Sequence, residues 1–175
     1  MFDTSVLRKI MPLATQANVD KFGPHVEEAL EMFEVNTPAR QAAFLAQLAH
    51  ESGQFRYVRE LADGKAYEGR KDLGNTQPGD GPKFKGRGLI QITGRNNYKL
   101  LGDYLGVDLI SNPAVLEQPD YAVKSAGWFW HVYKNLNPLA DAGDFRLITK
   151  KINGGYNGYD DRLKFWERAK KELGA

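Results

Sequence analysis

The sequence predicts a mainly α-helical protein with one small β element and a long loop at its centre. Three observations carry this. The run ARQAAFLAQLAHES is rich in Ala and Leu, poor in β-branched residues, and framed by helix start and stop signals. Later segments return apolar residues at helical spacing. Between them, Ala62 to Gly88 holds seven glycines with Pro78 and Pro82 and shows no helical period. At 175 residues the whole chain, 1–175, suits a single domain. A chain of that size buries roughly 70% of the surface it exposes when unfolded, enough for a core of its own.

Taken in order, a first helix is expected over about Ser5–Ala17 and a second over Val26–Phe33, divided by a break at Gly23-Pro24. Thr37 reads as an N-cap with Pro38 at the first helical position. The well-buried helix that follows should stop at Gly53, where a left-handed residue ends helices readily. The loop from Ala62 is long for a compact domain, and loops of that length serve function or are disordered. Leu89–Thr93 (LIQIT), short and β-branched, is the predicted strand. Helices resume over Asn96–Leu105, Tyr121–Tyr133, Phe145–Ile152 and Asp160–Leu173, with no repeat, low-complexity tract or linker.

Composition removes several function classes. Hydrophobic residues at 42% and charged residues at 26% argue against disorder. No apolar run approaches the ~20 residues of a membrane-spanning helix, so stable membrane insertion is not expected. The absence of cysteine excludes a disulfide scaffold, a thiolate zinc site and a cysteine nucleophile. A net charge of +2 is too small to imply nucleic-acid binding. The N-terminus MFDTSVLRKIMPLATQ lacks the layout of a signal peptide, so a target beyond the cytoplasm would need another export route. His25, His50 and His131 lack metal-ligand spacing such as HExxH, and neither metal nor cofactor is expected.

Chemistry concentrates at His50-Glu51-Ser52-Gly53. Glu51 ends an apolar helix, where the dipole and apolar neighbours would both favour a protonated carboxyl, as a general acid requires. The bland alternative is a solvated carboxylate at a fraying end. A second carboxylate, Glu60, lies nine residues on. On one continuous helix the two would be half a turn out of phase and ~13.5 Å apart along the axis. They can share a cleft only if the chain reverses near Ser52-Gly53. Two carboxyls across a cleft are the equipment of glycoside hydrolysis, although Glu60 next to Arg59 reads equally as a surface ion-pair partner, and Asp63 and Glu68 are rivals. Around Gly86-Arg87-Gly88 the spacing fits neither GxGxxG nor a phosphate loop. A strand there would put Gln91 and Thr93 on one face, suited to a sugar hydroxyl, an acetamido group or a water. Trp128-Phe129-Trp130 spans about 200° of helix, so core packing is favoured over sugar stacking. Tyr67, Tyr98, Tyr156 and Tyr159 are the better sugar contacts. The final helix, acids first and bases last, reads as a solvated amphipathic helix.

His50-Glu51-Ser52-Gly53, Tyr67-Glu68-Gly69-Arg70, Leu73–Gly81, Gly86–Gly94, Trp128-Phe129-Trp130 and Ile152-Asn153-Gly154-Gly155 together resemble glycoside hydrolase family 19. The matching segments run in the family's order from about Arg40 to Arg162. The resemblance is closer to the phage endolysins and prophage lysozymes than to plant chitinases, which carry His-Glu-Thr-Gly-Gly where this chain has His-Glu-Ser-Gly-Gln.

The resemblance implies a lysozyme-like helical fold; the Gly and Pro content of the central loop, Ala62–Lys85, suggests a wall or a lid over the cleft that reorganises around a glycan strand. The resemblance also implies hydrolysis of β-1,4 links next to N-acetylated amino sugars, by inversion. Glu51 falls at the acid position, Glu60 at the base position with Glu68 as fallback, and Thr93 at the position that helps hold the water. Gln91, Asn97 and Tyr98 match substrate-contact positions; His50 and Tyr67 join them as substrate-binding candidates from their own placement, His50 reading also as a structural hydrogen-bond partner. Asn153 and Arg162 match the far cleft wall. Inversion asks for carboxyl groups ~6.5–9.5 Å apart. The expected partner is the glycan strand of peptidoglycan, cut as a muramidase on family grounds, with a glucosaminidase as the alternative, by a monomer that waits in a host cytoplasm and reaches the wall once the membrane is permeabilised. A chitinase, a non-catalytic glycan-binding module and an interbacterial toxin are the competing readings.

Overall fold

A computed structural model describes residues 1–175. Nine helices follow one another: α1 (Val6–Ile10), α2 (Gln16–Met32), α3 (Pro38–Glu51), α4 (Asp80–Lys83), α5 (Arg95–Leu105), α6 (Pro119–Trp128), α7 (Asn137–Asp141), α8 (Phe145–Asn153) and α9 (Tyr159–Leu173). The mainly helical class is as the sequence predicts.

α3 forms the axis of the molecule. Thr37 caps it, its hydroxyl accepting from Arg40 N–H, and Pro38 opens it, so the entry is fixed by side chain and ring together. Every residue from Ala42 to Ala49 is buried, the signature of a helix apolar on all sides. It packs against α9, α1 and α7, while α2 packs against α6. Phe44 meets Trp130 edge-on at 5.4 Å, and the Trp130 indole N–H donates to Asn137 at 2.8 Å. Trp128 and Trp130 are therefore core residues, as their helical spacing predicts. α6 runs on through a π-helical turn, Phe129–Tyr133.

Two expectations about helices change. The chain turns between α1 and α2, and α2 then continues through Gly23-Pro24 without a break. Pro24 removes one hydrogen bond, but it lies on the exposed face, where water satisfies the freed carbonyl, while Phe22, Gly23 and Val26 are buried on the other side.

The β element is small and differently placed. Leu89–Thr93 is not a strand. Arg87 pairs antiparallel with Arg59 on one side and with Ile92 on the other. Gly88–Gln91 is a four-residue turn closed by reciprocal Arg87–Ile92 backbone bonds of 3.1 and 2.8 Å. Leu89 and Ile90 are both buried, which strand alternation forbids and a turn folded onto the core permits. Arg59 and Arg87 face each other at this register, an arrangement of like charges that costs stability. Glu117 offsets it by accepting from both, at 3.4 and 3.0 Å.

The central loop is braced throughout. Asp80, almost fully buried, forms a bidentate pair with Arg95 at 2.8 and 2.9 Å. Glu68 accepts from Gly79 and Gly81 N–H at 2.8 and 2.7 Å. The Asn75 amide joins Tyr67 O to Arg95 N–H, both at 2.9 Å. Through Asp80 and Asn75 the loop is thus tied to the start of α5.

Candidate active site

The reversal required between Glu51 and Glu60 is present. α3 ends at Glu51, Ser52 caps it, and Gly53, Gln54 and Phe55 follow at φ of 57°, 60° and 67°. Three successive left-handed residues, two with side chains, are costly. Ser52 Oγ compensates by accepting from Phe55 N–H at 2.9 Å, and Phe55 is buried against Phe22 at 5.2 Å. The chain then runs back as Val58–Glu60 along Gly86–Gly88, with Glu60 N–H to Gly86 O at 2.9 Å and Gly88 N–H to Val58 O at 2.8 Å.

Glu60 is held at both oxygens. Oε1 accepts from Gly86 N–H at 2.6 Å and Oε2 from the Tyr67 hydroxyl at 3.0 Å, in a half-buried position. Two donors fix the carboxylate plane and leave each oxygen a lone pair for another hydrogen bond. Its neighbour Arg59 is paired with Glu117, so the surface ion-pair reading of Glu60 fails. Burial pushes the Tyr67 phenol up from its ordinary range, and the bond to Glu60 pushes it further. Glu68, the rival base, instead caps the Gly79 and Gly81 amides, which hold its carboxyl below the usual range. Glu68 is committed to the loop.

Glu51 is 19% exposed, and its surroundings are not the apolar ones expected: Arg162 Nη2 donates to its Oε1 at 2.7 Å. Arg162 is a correction too. At 1% exposure it does not line the cleft; it acts on Glu51 from within the α3–α9 interface. Tyr98 is likewise corrected from substrate contact to core. Fully buried, it packs on Phe84 and bonds Lys85 O and Arg87 through its hydroxyl, and burial raises its phenol far above the ordinary value.

The other predicted residues, Tyr156 apart, occupy defined, half-buried places. Thr93 Oγ1 donates to Gln91 O at 3.0 Å, which leaves its lone pairs open to a water. Asn97 holds Thr93 O at 2.9 Å and Gln91 holds Gly88 O at 3.0 Å, so these three brace one turn rather than sharing a strand face. Asn153 caps Asn157 N–H at 3.1 Å. His50 Nδ1 donates to Asp161 at 2.7 Å, with its ring against Gly158. Tyr156 is exposed, with the Arg146 guanidinium 4.1 Å from its ring centre. The largest hollow on the molecule, about 530 Å³ beside Tyr98, Asp103 and Ile110, includes neither carboxylate.

Sequence reasoning missed Gln47 and Thr149. Gln47 is fully buried one helical turn before Glu51, donates to Thr149 at 3.0 Å and accepts from Arg162 at 2.6 Å. The signal was available: Gln47 is the one polar residue in the apolar run Ala42–Ala49, and a buried amide must find partners.

The family model for class I chitinases, glycoside hydrolase family 19, matches residues 34–143, more than half of the chain and spanning both carboxylates. The chain belongs to glycoside hydrolase family 19. A family 19 domain-containing protein of Haemophilus influenzae is 32% identical over 95% of this chain and 94% of its own length. The Arabidopsis thaliana endochitinase At2g43620 is 44% identical over 65% of this chain, which spans only 38% of that protein. Among solved structures, chitinase C from Streptomyces griseus superposes with a TM-score of 0.80 at 23% identity, covering 99% of this chain and 76% of that one, and so shares the fold. This family 19 glycoside hydrolase thus has the lysozyme-like, mainly helical architecture that its sequence predicts.

Proposed function

We propose that the protein is an endolysin-type glycosidase that cuts β-1,4 bonds between the N-acetylated amino sugars of peptidoglycan, by inversion. The observation that carries the chemistry is a pair of carboxylates fixed in contrasting ways on either side of one backbone reversal. Glu51 protonates the departing glycosidic oxygen. Glu60 takes a proton from water, whose oxygen forms the new bond to C1 as the old bond breaks. Thr93 accepts a hydrogen bond from that water. No metal or cofactor takes part in this scheme. The protein works as a monomer, a single catalytic domain, which waits in a host cytoplasm and lyses the cell on reaching the wall.

Chitin is the second reading, favoured by the endochitinases among the relatives. Both polymers share the glucosamine backbone; peptidoglycan adds lactyl-peptide branches. Purified protein should release reducing ends from peptidoglycan and not from chitin oligomers, and borohydride-reduced products should end in muramitol. Cleavage of chitin alone would give the chitinase reading. Binding to peptidoglycan with no reducing ends would leave a glycan-binding module; one Arabidopsis thaliana relative, 33% identical over 65% of this chain, is named an inactive endochitinase. Fresh products should show the α-anomer by NMR; the β-anomer would exclude inversion.

A further inference from the structure

Behind Glu51 lies a buried polar chain that the acid–base chemistry does not itself require. Arg162 points into the α3–α9 interface, with a side chain only 2% exposed. It donates in three directions: Nε to Asn157 O at 3.1 Å, Nη1 to Gln47 Oε1 at 2.6 Å and Nη2 to Glu51 Oε1 at 2.7 Å. Gln47 in turn donates to Thr149 Oγ1 at 3.0 Å, and Thr149 donates to Phe145 O at 3.0 Å. Gln47 and Thr149 are both fully buried. Donor capacity fixes the amide orientation: a guanidinium only donates, so the Gln47 oxygen faces it, and the Thr149 hydroxyl, its proton committed to Phe145 O, accepts from the Gln47 nitrogen.

Of the three acceptors around this buried cation, only Glu51 carries charge. When Glu51 takes up a proton, as an acid in this scheme must, Arg162 loses its counter-charge in a place where an unpaired charge is expensive. Its position then depends on the two neutral acceptors, and the only side chain among them is Gln47.

We propose that Gln47, oriented by Thr149, is a positioning residue that holds the Arg162 guanidinium through its neutral amide, so that Glu51 can exchange its proton without the cation shifting. Asn157 contributes only a main-chain carbonyl. The neighbouring titratable pair on the same two helices, His50 and Asp161, is satisfied internally at 2.7 Å. This proposal rests on Glu51 being the acid.

The neutrality of residue 47 gives a test with opposite signs. The pH profile of kcat/KM on peptidoglycan reports loss of the acid's proton as its basic limb. Gln47→Glu brings a second carboxylate to Arg162, which weakens the guanidinium's hold on the Glu51 anion; the basic limb should move up by about one pH unit. Gln47→Leu removes the neutral acceptor and leaves Arg162 leaning on Glu51; the limb should move down by a similar amount, with kcat lowered about tenfold and KM little changed. Thr149→Val should act as a weaker Gln47→Leu, and Thr149→Ser should restore the wild-type profile. Limbs that stay fixed, or move the same way in Gln47→Glu and Gln47→Leu, overturn the proposal. Should the Gln47 variants not fold, the contrast between Thr149→Val and Thr149→Ser decides alone. A wild-type protein that cleaves no glycan, or a Glu51→Gln variant with full activity, overturns the functional reading instead.

Discussion

Arg162 donates to Glu51 across 2.7 Å from a position with 1% exposure, so the end of α3 is locked to α9 through the very carboxylate assigned as the acid. The pair joins packing to chemistry: the helix contact that builds the core also fixes the carboxylate plane. Glu51→Gln should lower turnover at least 10²-fold, the low end of what a positioned general acid contributes. The fold should survive with a lowered Tm, because the glutamine carbonyl still accepts from Arg162 but no longer balances its buried charge. Circular dichroism and a thermal melt beside the activity assay separate the two effects. Retained turnover would remove Glu51 from the reaction.

Glu60 and Tyr67 form the second fixed relationship, at 3.0 Å. Tyr67→Phe keeps the ring and removes one donor to the carboxylate. Hydrogen bonds to charged groups contribute about 1.5–3 kcal/mol, so kcat should fall at least tenfold with KM nearly unchanged. Glu60→Gln should cost orders of magnitude more. Glu68→Gln should leave turnover within a few-fold and instead loosen the central loop, which faster amide exchange at Gly79 and Gly81 would report. Near-normal activity in Glu60→Gln with loss in Glu68→Gln would exchange their roles.

The buried Asp80–Arg95 pair makes the cleft wall sensitive to acid. The Arg95 guanidinium holds the Asp80 carboxyl below its usual range; burial opposes this and the Gln77 N–H assists it. A carboxyl depressed on folding adds stability that is complete above its ordinary value of about 3.9 and is lost as pH falls through the folded value. Amide protection at Gly79, Asp80 and Gly81 should therefore drop below about pH 4. Asp80→Asn should remove it at neutral pH, at a cost of about 2 kcal/mol for an imperfectly paired Arg95. Protection that stays level down to pH 2 would show that the wall does not depend on this pair.

The helices were legible because their signals are local. Thr37-Pro38, the Ala/Leu run and the late amphipathic segments each declare themselves within a few residues. The reversal between Glu51 and Glu60 was legible at Ser52-Gly53, where a left-handed residue can turn the chain. Arg162 was visible as a matching position, but its burial was not, because that depends on α9 crossing α3, more than 100 residues away in the chain. Tyr98 was misread for the same reason: a tyrosine near glycines suits a sugar, until Phe84 and Arg87 enclose it. LIQIT has strand composition, yet the left-handed Gln91, φ 63°, turns it into a loop whose apolar residues both go inward. Pro24 misled because its cost depends on which face of α2 is wet, and one sequence window does not reveal that.

The contact between α6 and the end of α2 offers a case where two known effects oppose. Gly127 lies inside α6, where Ala would gain about 1 kcal/mol of helix propensity. A Cβ there, however, would run into the Phe33 ring, and Phe33 is itself fully buried. Overpacking of this kind costs about 1–3 kcal/mol, and a separation so far inside contact distance calls for the upper part of that range. Gly127→Ala should therefore be destabilising by about 1–2 kcal/mol net, lowering Tm by roughly 2–8 °C for a chain of this size. Adding Phe33→Leu should recover part of the loss, so the double mutant should be more stable than the sum of the single effects. Additive effects in that cycle would place the strain elsewhere, and a raised Tm in Gly127→Ala would mean that helix propensity outweighs packing at this crossing.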